Sequence, residues 1–199
     1  MGGIAILGHL IRTQDQRIAR VVTVGSQVTM DNPETMIKGL SELLEIRRRQ
    51  LLGADESSVE VTHRLFYNLD NMRPETVPTL ETIATDPPSA GVIKQLLDMA
   101  KTGVLRSANG DYDYAANIRK VATPAMFVTG ARDVAAPPAV QETMYRAIGS
   151  QEKKLIICGR ANGFSADAGH IDALLGTHAA DELFPSLERF LSLEKKSTP

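Results

Sequence analysis

Apolar residues recur along the chain at two different periods. Ile4, Leu7, Leu10 and Ile11 share one face at helical spacing, which predicts a short helix over residues 2–12, with Gly2 and Gly3 allowing close backbone approach at its start. The β-branched run Val21-Val22-Thr23-Val24, closed by Gly25-Ser26, predicts a buried strand. Ala125-Met126-Phe127-Val128-Thr129, opened by Pro124 and closed by Gly130, predicts a second. Lys154-Leu155-Ile156-Ile157-Cys158, closed by Gly159, predicts a third. Each strand is short, mostly apolar and followed by helical pattern. That is the mark of a parallel sheet covered on both faces.

The stretch between the first two strands is helical throughout. Asp31-Asn32-Pro33 is a cap followed by proline at the first helical position, and Met36, Leu40, Leu43, Leu44 and Leu51 form a stripe ending at Gly53. Ser57 and Glu60 make a capping box for a second helix carrying Val59, His63 and Phe66. A short piece starts near Pro78, and a further helix runs from Ser89 to Gly103 with Ile93, Leu96, Leu97 and Ala100 inward. This stretch is too long for a crossover and too regular for a linker. Residues 31–115 are therefore expected to be a helical insertion capping the sheet, with 1–30 and 116–199 as the core. Pro138 opens a helix with Val140, Met144 and Ile148 inward and Gly149 as its stop. One last helix is expected from about Asp172 to Leu193, followed by a polar tail.

Composition narrows the function classes. With 22 Lys and Arg against 24 Asp and Glu, the chain lacks the basic excess of a nucleic-acid binder. No run of 18 apolar residues exists, so no membrane span is encoded. A single cysteine, Cys158, excludes an intramolecular disulfide and a multi-cysteine metal cage, and at the end of a buried strand it is expected to be inert. The start, Met1-Gly2-Gly3-Ile4, has neither the basic opening of a secretory signal nor a cleavage site.

In open parallel sheets, function collects at the carboxyl ends of the strands. The second strand leads into Gly130-Ala131-Arg132-Asp133, and the third into a loop ending Asp167-Ala168-Gly169-His170-Ile171-Asp172. Neighbouring strands lie about 5 Å apart, so Asp133 and His170 are placed to meet. A buried carboxylate orienting an imidazole is the acid/base half of a nucleophilic triad. The competing reading makes Asp133 the cap of the helix at Pro138 and His170 the cap of the last helix. Their joint occurrence in consecutive strand-end loops favours the pair. Asp167, His170 and Asp172 imitate a metal cluster without an established ligand geometry, so no metal is expected, and Asp172 is expected to cap the final helix. His9 has no partner at ligand spacing, His63 is expected in a core or cap interface, and His178 on the surface. Arg47-Arg48-Arg49 is expected to be a solvated helix face.

From Thr123-Pro124 through Phe127-Val128-Thr129-Gly130-Ala131-Arg132-Asp133 to Pro137-Pro138, the chain resembles the strand and loop that present the triad acid in α/β-hydrolases. Lys153-Lys154-Leu155 through Gly169-His170-Ile171-Asp172 to Leu175-Gly176 resembles the last strand and histidine loop of esterase- and lipase-like members. The resemblance covers most of residues 1–30 and 112–192. It implies an α/β fold, the C-terminal part of an α/β-hydrolase with three parallel strands, flanking helices and a helical cap. It also implies ester hydrolysis of a small acyl substrate by a Ser-Asp-His triad, without cofactor, in which Asp133 and His170 are two members.

The family places its serine in a G-x-S-x-G elbow ahead of the acid and the histidine. Met1-Gly2-Gly3 matches the three residues after that serine in the form G-x-S-M-G-G, and no such elbow occurs in the chain. Ser26, in Val24-Gly25-Ser26-Gln27-Val28, and Ser150, in Ile148-Gly149-Ser150-Gln151-Glu152, do not fit it. The match therefore implies that the nucleophile lies immediately before Met1, that the backbone nitrogen of Met1 is an oxyanion-hole donor in a full-length form, and that the chain alone is inactive. Two rivals remain. One is an acyltransferase like the polyhydroxyalkanoate synthases, with a cysteine nucleophile. The other is a non-catalytic chain that binds a partner, or a second copy of itself, through the exposed strand at 21–24.

Overall fold

A computed structural model describes residues 2–31, 33–34, 37–38, 41–42, 45, 48–49, 52–53, 66–83 and 89–192. Three strands, β1 (Val21–Val24), β2 (Ala125–Gly130) and β3 (Lys153–Cys158), form one sheet in the order β1-β2-β3, all parallel. Val21 pairs with Ala125, and Ala125 pairs in turn with Lys153. β2 is buried at all six positions because it is paired on both edges and covered on both faces. This is why its sequence is almost continuously apolar rather than alternating.

The helices divide between the two faces. α1 (Gly2–Thr13) buries Leu7, Leu10 and Ile11 on the side presenting Val21, Ala125 and Phe127. α5 (Pro138–Ala147) adds Met144 to that side, and Ile148 follows it there. The opposite face shows Met126 and Val128, with Val22, Val24 and Ile156 partly buried beside them. It is covered by α6 (Asp172–Leu175) with Ala173, by Leu183 at the end of α7 (Ala179–Glu182), and by α8 (Phe184–Leu191) with Leu187 and Phe190. Each strand thus sends alternate side chains into two separate cores.

Within residues 31–117, α2 (Thr76–Ile83), α3 (Ala90–Thr102) and the short α4 (Tyr114–Asn117) are described. α3 starts and stops where the sequence places it. The Ser89 hydroxyl accepts the Val92 N–H, and Gly103 ends the helix in the left-handed region at φ 75°. Met99 and Ala100 at its end, with Leu105 beyond, are buried against the same cluster as Leu7 and Phe127. Gly53 also lies in the left-handed region, as expected of a helix stop. Arg48 and Arg49 turn to Glu45 on an exposed face, while Arg47, His63 and the Ser57–Glu60 capping box lie outside the described residues.

The C-terminal helix is not continuous. It is broken into α6, α7 and α8, at Gly176–His178 and again at Leu183. Gly176 turns extended (ψ 157°), and the Thr177 N–H donates to the Asn71 carbonyl instead of to a preceding turn. Pro185, which has no N–H to offer, restarts the chain within the first turn of α8. α5 likewise leaves the helix at Ile148, one residue before Gly149.

Phe127 is fully buried at the centre of the sheet. Phe127→Ala is expected to cost about 3–5 kcal/mol, by lost burial and a residual cavity. Urea unfolding followed by circular dichroism measures it. A loss below about 1 kcal/mol would show that β2 is not the centre of the core.

Candidate active site

The carboxyl ends of all three strands converge on one pair of side chains. Asp133 follows β2 by a tight turn in which its own N–H donates to the Gly130 carbonyl. Its carboxylate is fully buried. One oxygen accepts the N–H groups of Ala135 (2.9 Å) and Ala136 (2.7 Å), closing the loop back on itself. The other lies 2.9 Å from Nδ1 of His170. The Thr129 hydroxyl, near the end of β2, donates to the Ala136 carbonyl and keeps that loop against the strand. The loop amides, not the helix at Pro138, receive the carboxylate, since the residue before that helix is Pro137 and no side chain caps it.

His170 stands on the loop after β3, and about a quarter of its side chain is exposed. Since a carboxylate accepts, Nδ1 is the ring nitrogen that donates in this contact, and Nε2 is the one directed away from Asp133. The backbone before it is pinned at Ala168, whose carbonyl accepts the Arg132 N–H and whose own N–H donates to the Cys158 carbonyl. The imidazole caps no helix. The Phe66 ring lies 5.7 Å from it, centroid to centroid, at a 58° tilt.

The third wall is the end of β1. Gly25 has φ +53°, and a Cβ there would sit 2.6 Å from Nδ1 of His170 and 3.2 Å from Oδ2 of Asp133. Glycine is needed at this position for the left-handed turn and for the space the pair occupies. Ser26 next to it lies against Gly3 of α1, where a Cβ would overlap the Ser26 side chain. Gly3 therefore makes the close approach the sequence predicts, whereas nothing crowds Gly2. Two buried glutamines fix this turn. Gln141 of α5 donates to the Ser26 carbonyl (3.0 Å), and Gln27 donates to the Ala135 carbonyl (2.8 Å). The Asp133–His170 pair is thereby set beside the N-terminal end of α1.

The other sequence candidates separate. Asp167 accepts the Arg160 N–H (2.8 Å), and Asp172 faces Gly169, Asn68 and Asn71, so neither turns to His170 in a metal-like cluster. Asp172 is not the cap of its helix. Ile171 occupies that position, and the buried Asp172 carboxylate accepts amides from two loops instead. His9 lies on the exposed side of α1 against Asp15, whose carboxyl Arg17 and His9 hold below the usual range. His178 is exposed. Burial pushes the Cys158 thiol up to about 12, so it stays protonated and unreactive at neutral pH. Met1 lies outside the described residues. Sequence reasoning missed Gly25, Gln141, Phe66 and the two asparagines. Gly25, closing the first strand, and Asn68 and Asn71, bracketing a short turn, gave local signals, whereas Gln141 and Phe66 gave none.

No protein-family model and no curated protein sequence matches the chain. Solved structures do. An esterase from Exiguobacterium antarcticum superposes with a TM-score of 0.63 at 14% identity, over 94% of this chain and 62% of its own. A thermophilic esterase from Thermogutta terrifontis gives 0.61 at 17%, over 96% and 61%. A monoacylglycerol lipase from Paleococcus ferrophilus gives 0.58 at 12%, over 94% and 64%. The chain has the fold of the C-terminal part of an α/β-hydrolase, and it spans less than two thirds of the length of the structures it matches.

Gly25→Ala is expected to drive the imidazole off Asp133, at a stability cost of about 1–3 kcal/mol for the left-handed backbone and the overlap. A crystal structure of the variant tests this. Retention of the 2.9 Å Nδ1–Oδ2 contact would show that Gly25 does not shape the site.

Proposed function

We propose that the chain carries the acid and base of a serine hydrolase acting on carboxylic esters, and that the nucleophilic serine is supplied by residues preceding Met1. The observation that supports this is the placement of the Asp133–His170 pair against the Gly25–Ser26 turn and, through Ser26, against the N-terminal end of α1. A serine entering α1 from upstream arrives beside the imidazole. Its hydroxyl attacks the acyl carbonyl while Nε2 of His170 takes the proton, and Asp133 holds the tautomer and stabilises the imidazolium. The proton then passes to the departing alcohol, and water repeats the sequence to release the acid. The backbone nitrogen of Met1 serves as one oxyanion donor. We assign the acyl pocket and its access to residues 31–115, of which Phe66 lies against the His170 ring. Esterases and a lipase share the fold, which supports ester hydrolysis as the reaction class.

The chain by itself is expected to hydrolyse short acyl esters no faster than background, because its sequence contains no serine elbow to supply the nucleophile. A form extended upstream through a serine elbow is expected to hydrolyse an activated ester and to be labelled by a serine-directed phosphonate. In that form His170→Ala removes most of the rate, and Asp133→Asn lowers it by up to about 10⁴-fold through the wrong tautomer. Substitution of Asp167 or His178 costs far less. Near-full activity of the extended His170→Ala protein would end this assignment.

Among the described residues β1 pairs on one edge only, with β2. Beside it the α8 surface leaves Phe184 and Leu191 exposed, next to Leu174 and Leu187. Open strand edges next to apolar surface template further pairing. We therefore expect the isolated chain to self-associate through residues 21–24, giving a concentration-dependent mass in sedimentation. A strictly monomeric chain that melts cooperatively at ordinary mesophile temperature would count against this.

A further inference from the structure

Residues 66–71 are tied to the histidine loop from both sides of His170. Before it, the Asn68 side-chain amide donates to the Asp167 carbonyl (2.7 Å), and within the loop the Gly169 N–H donates to the Asp172 carboxylate at 2.9 Å. After it, the Ile171 N–H donates to the Phe66 carbonyl at 2.9 Å. The same carboxylate, only 1% exposed, accepts the Asn68 N–H (3.0 Å) and the Asn71 side-chain amide (2.8 Å). The Thr177 N–H donates to the Asn71 carbonyl (2.8 Å). A buried charge is tolerated when several donors answer it, and here the donors come from two separate segments. Neither segment satisfies it alone.

We propose that Asp172 is a positioning residue for His170, a latch that sets the insertion and the histidine loop in one register. With the latch closed, Phe66 covers the imidazole and forms the wall of the substrate site beside it, and Nδ1 stays on Asp133. Gly169 has no room for a side chain at this junction, since a Cβ would meet Asp172 Oδ1 at 2.7 Å and the Asn68 nitrogen at 3.0 Å. The catalytic meaning of the latch rests on the proposed hydrolase function, while its physical content does not.

The test uses the 199-residue chain and nuclear magnetic resonance. In Asp172→Asn, where an amide replaces one acceptor oxygen, the Asn68 and Gly169 amides are expected to exchange about tenfold faster or more. The contacts between the Phe66 and His170 rings are expected to fade, and the imidazole nitrogen shifts to lose the signature of an Nδ1–H bound to carboxylate. Phe127 and Val128 amides in β2 keep their protection. Asn71→Ala removes a single donor and leaves the carboxylate on Gly169, so it reads the same link if the Asp172 variant does not fold. Faster exchange in the two loops with an unaltered imidazole, in either variant that folds, overturns the proposal. Failure of serine labelling in the extended form, with the imidazole response intact, would remove the hydrolase reading and leave the latch standing.

Discussion

A strand paired on both edges and covered on both faces can hold no polar side chain without a partner, and β2 is such a strand. Six buried positions in a row force its side chains to be apolar or, at Thr129, bonded to backbone. Polar chemistry is thereby pushed off the end of the strand, to the first point where the backbone can turn and offer its own amides. Asp133 stands there. Its buried charge is supported by two loop N–H groups and one imidazole, and unpaired it would cost several kcal/mol. The position of the pair is thus a consequence of how completely the centre of the sheet is buried.

The same logic orders the surroundings. Gln27 and Gln141 are buried polar groups that join the end of β1 to the acid loop and to α5, each through a backbone carbonyl. The Asp172 carboxylate gathers amides in the histidine loop as the Asp133 carboxylate does in the acid loop, with the difference that two of its donors, Asn68 and Asn71, come from a remote segment. Three strand ends are held together mainly by backbone amides and carbonyls, whose geometry depends little on which side chains line the cleft. Such a frame keeps an imidazole fixed while the walls around it vary.

The features legible in the sequence are those set by local pattern. The strands, α1 and α3 with their stops are written in periods, caps and glycines, each sensed within a few residues. The Asp133–His170 pair is legible because parallel neighbours bring consecutive strand ends together whatever lies between them. Asp172 reads as a cap because its position at the head of a helix is local, while its partners Asn68 and Asn71 lie about a hundred residues upstream. The last helix reads as continuous for the same reason. Leu183, Leu187 and Phe190 share one face at helical spacing, and the break ahead of them is made by a hydrogen bond from Thr177 to that same remote turn.

The register of the sheet also sets an order of assembly. β2 and β3 are joined by a single compact helix, so their pairing closes a short loop, whereas Val21 must find Ala125 across roughly a hundred residues. Loop-closure entropy alone separates the two events by ~1 kcal/mol, and non-local parallel pairing is intrinsically slow. The β2–α5–β3 unit can therefore form as an early nucleus that already holds Asp133 and His170 in adjacent loops. Docking of β1 then brings Gly25 against the pair and Gly3 over Ser26. The cleft is finished by the last strand to arrive, so its shape reports on the folding of the whole chain.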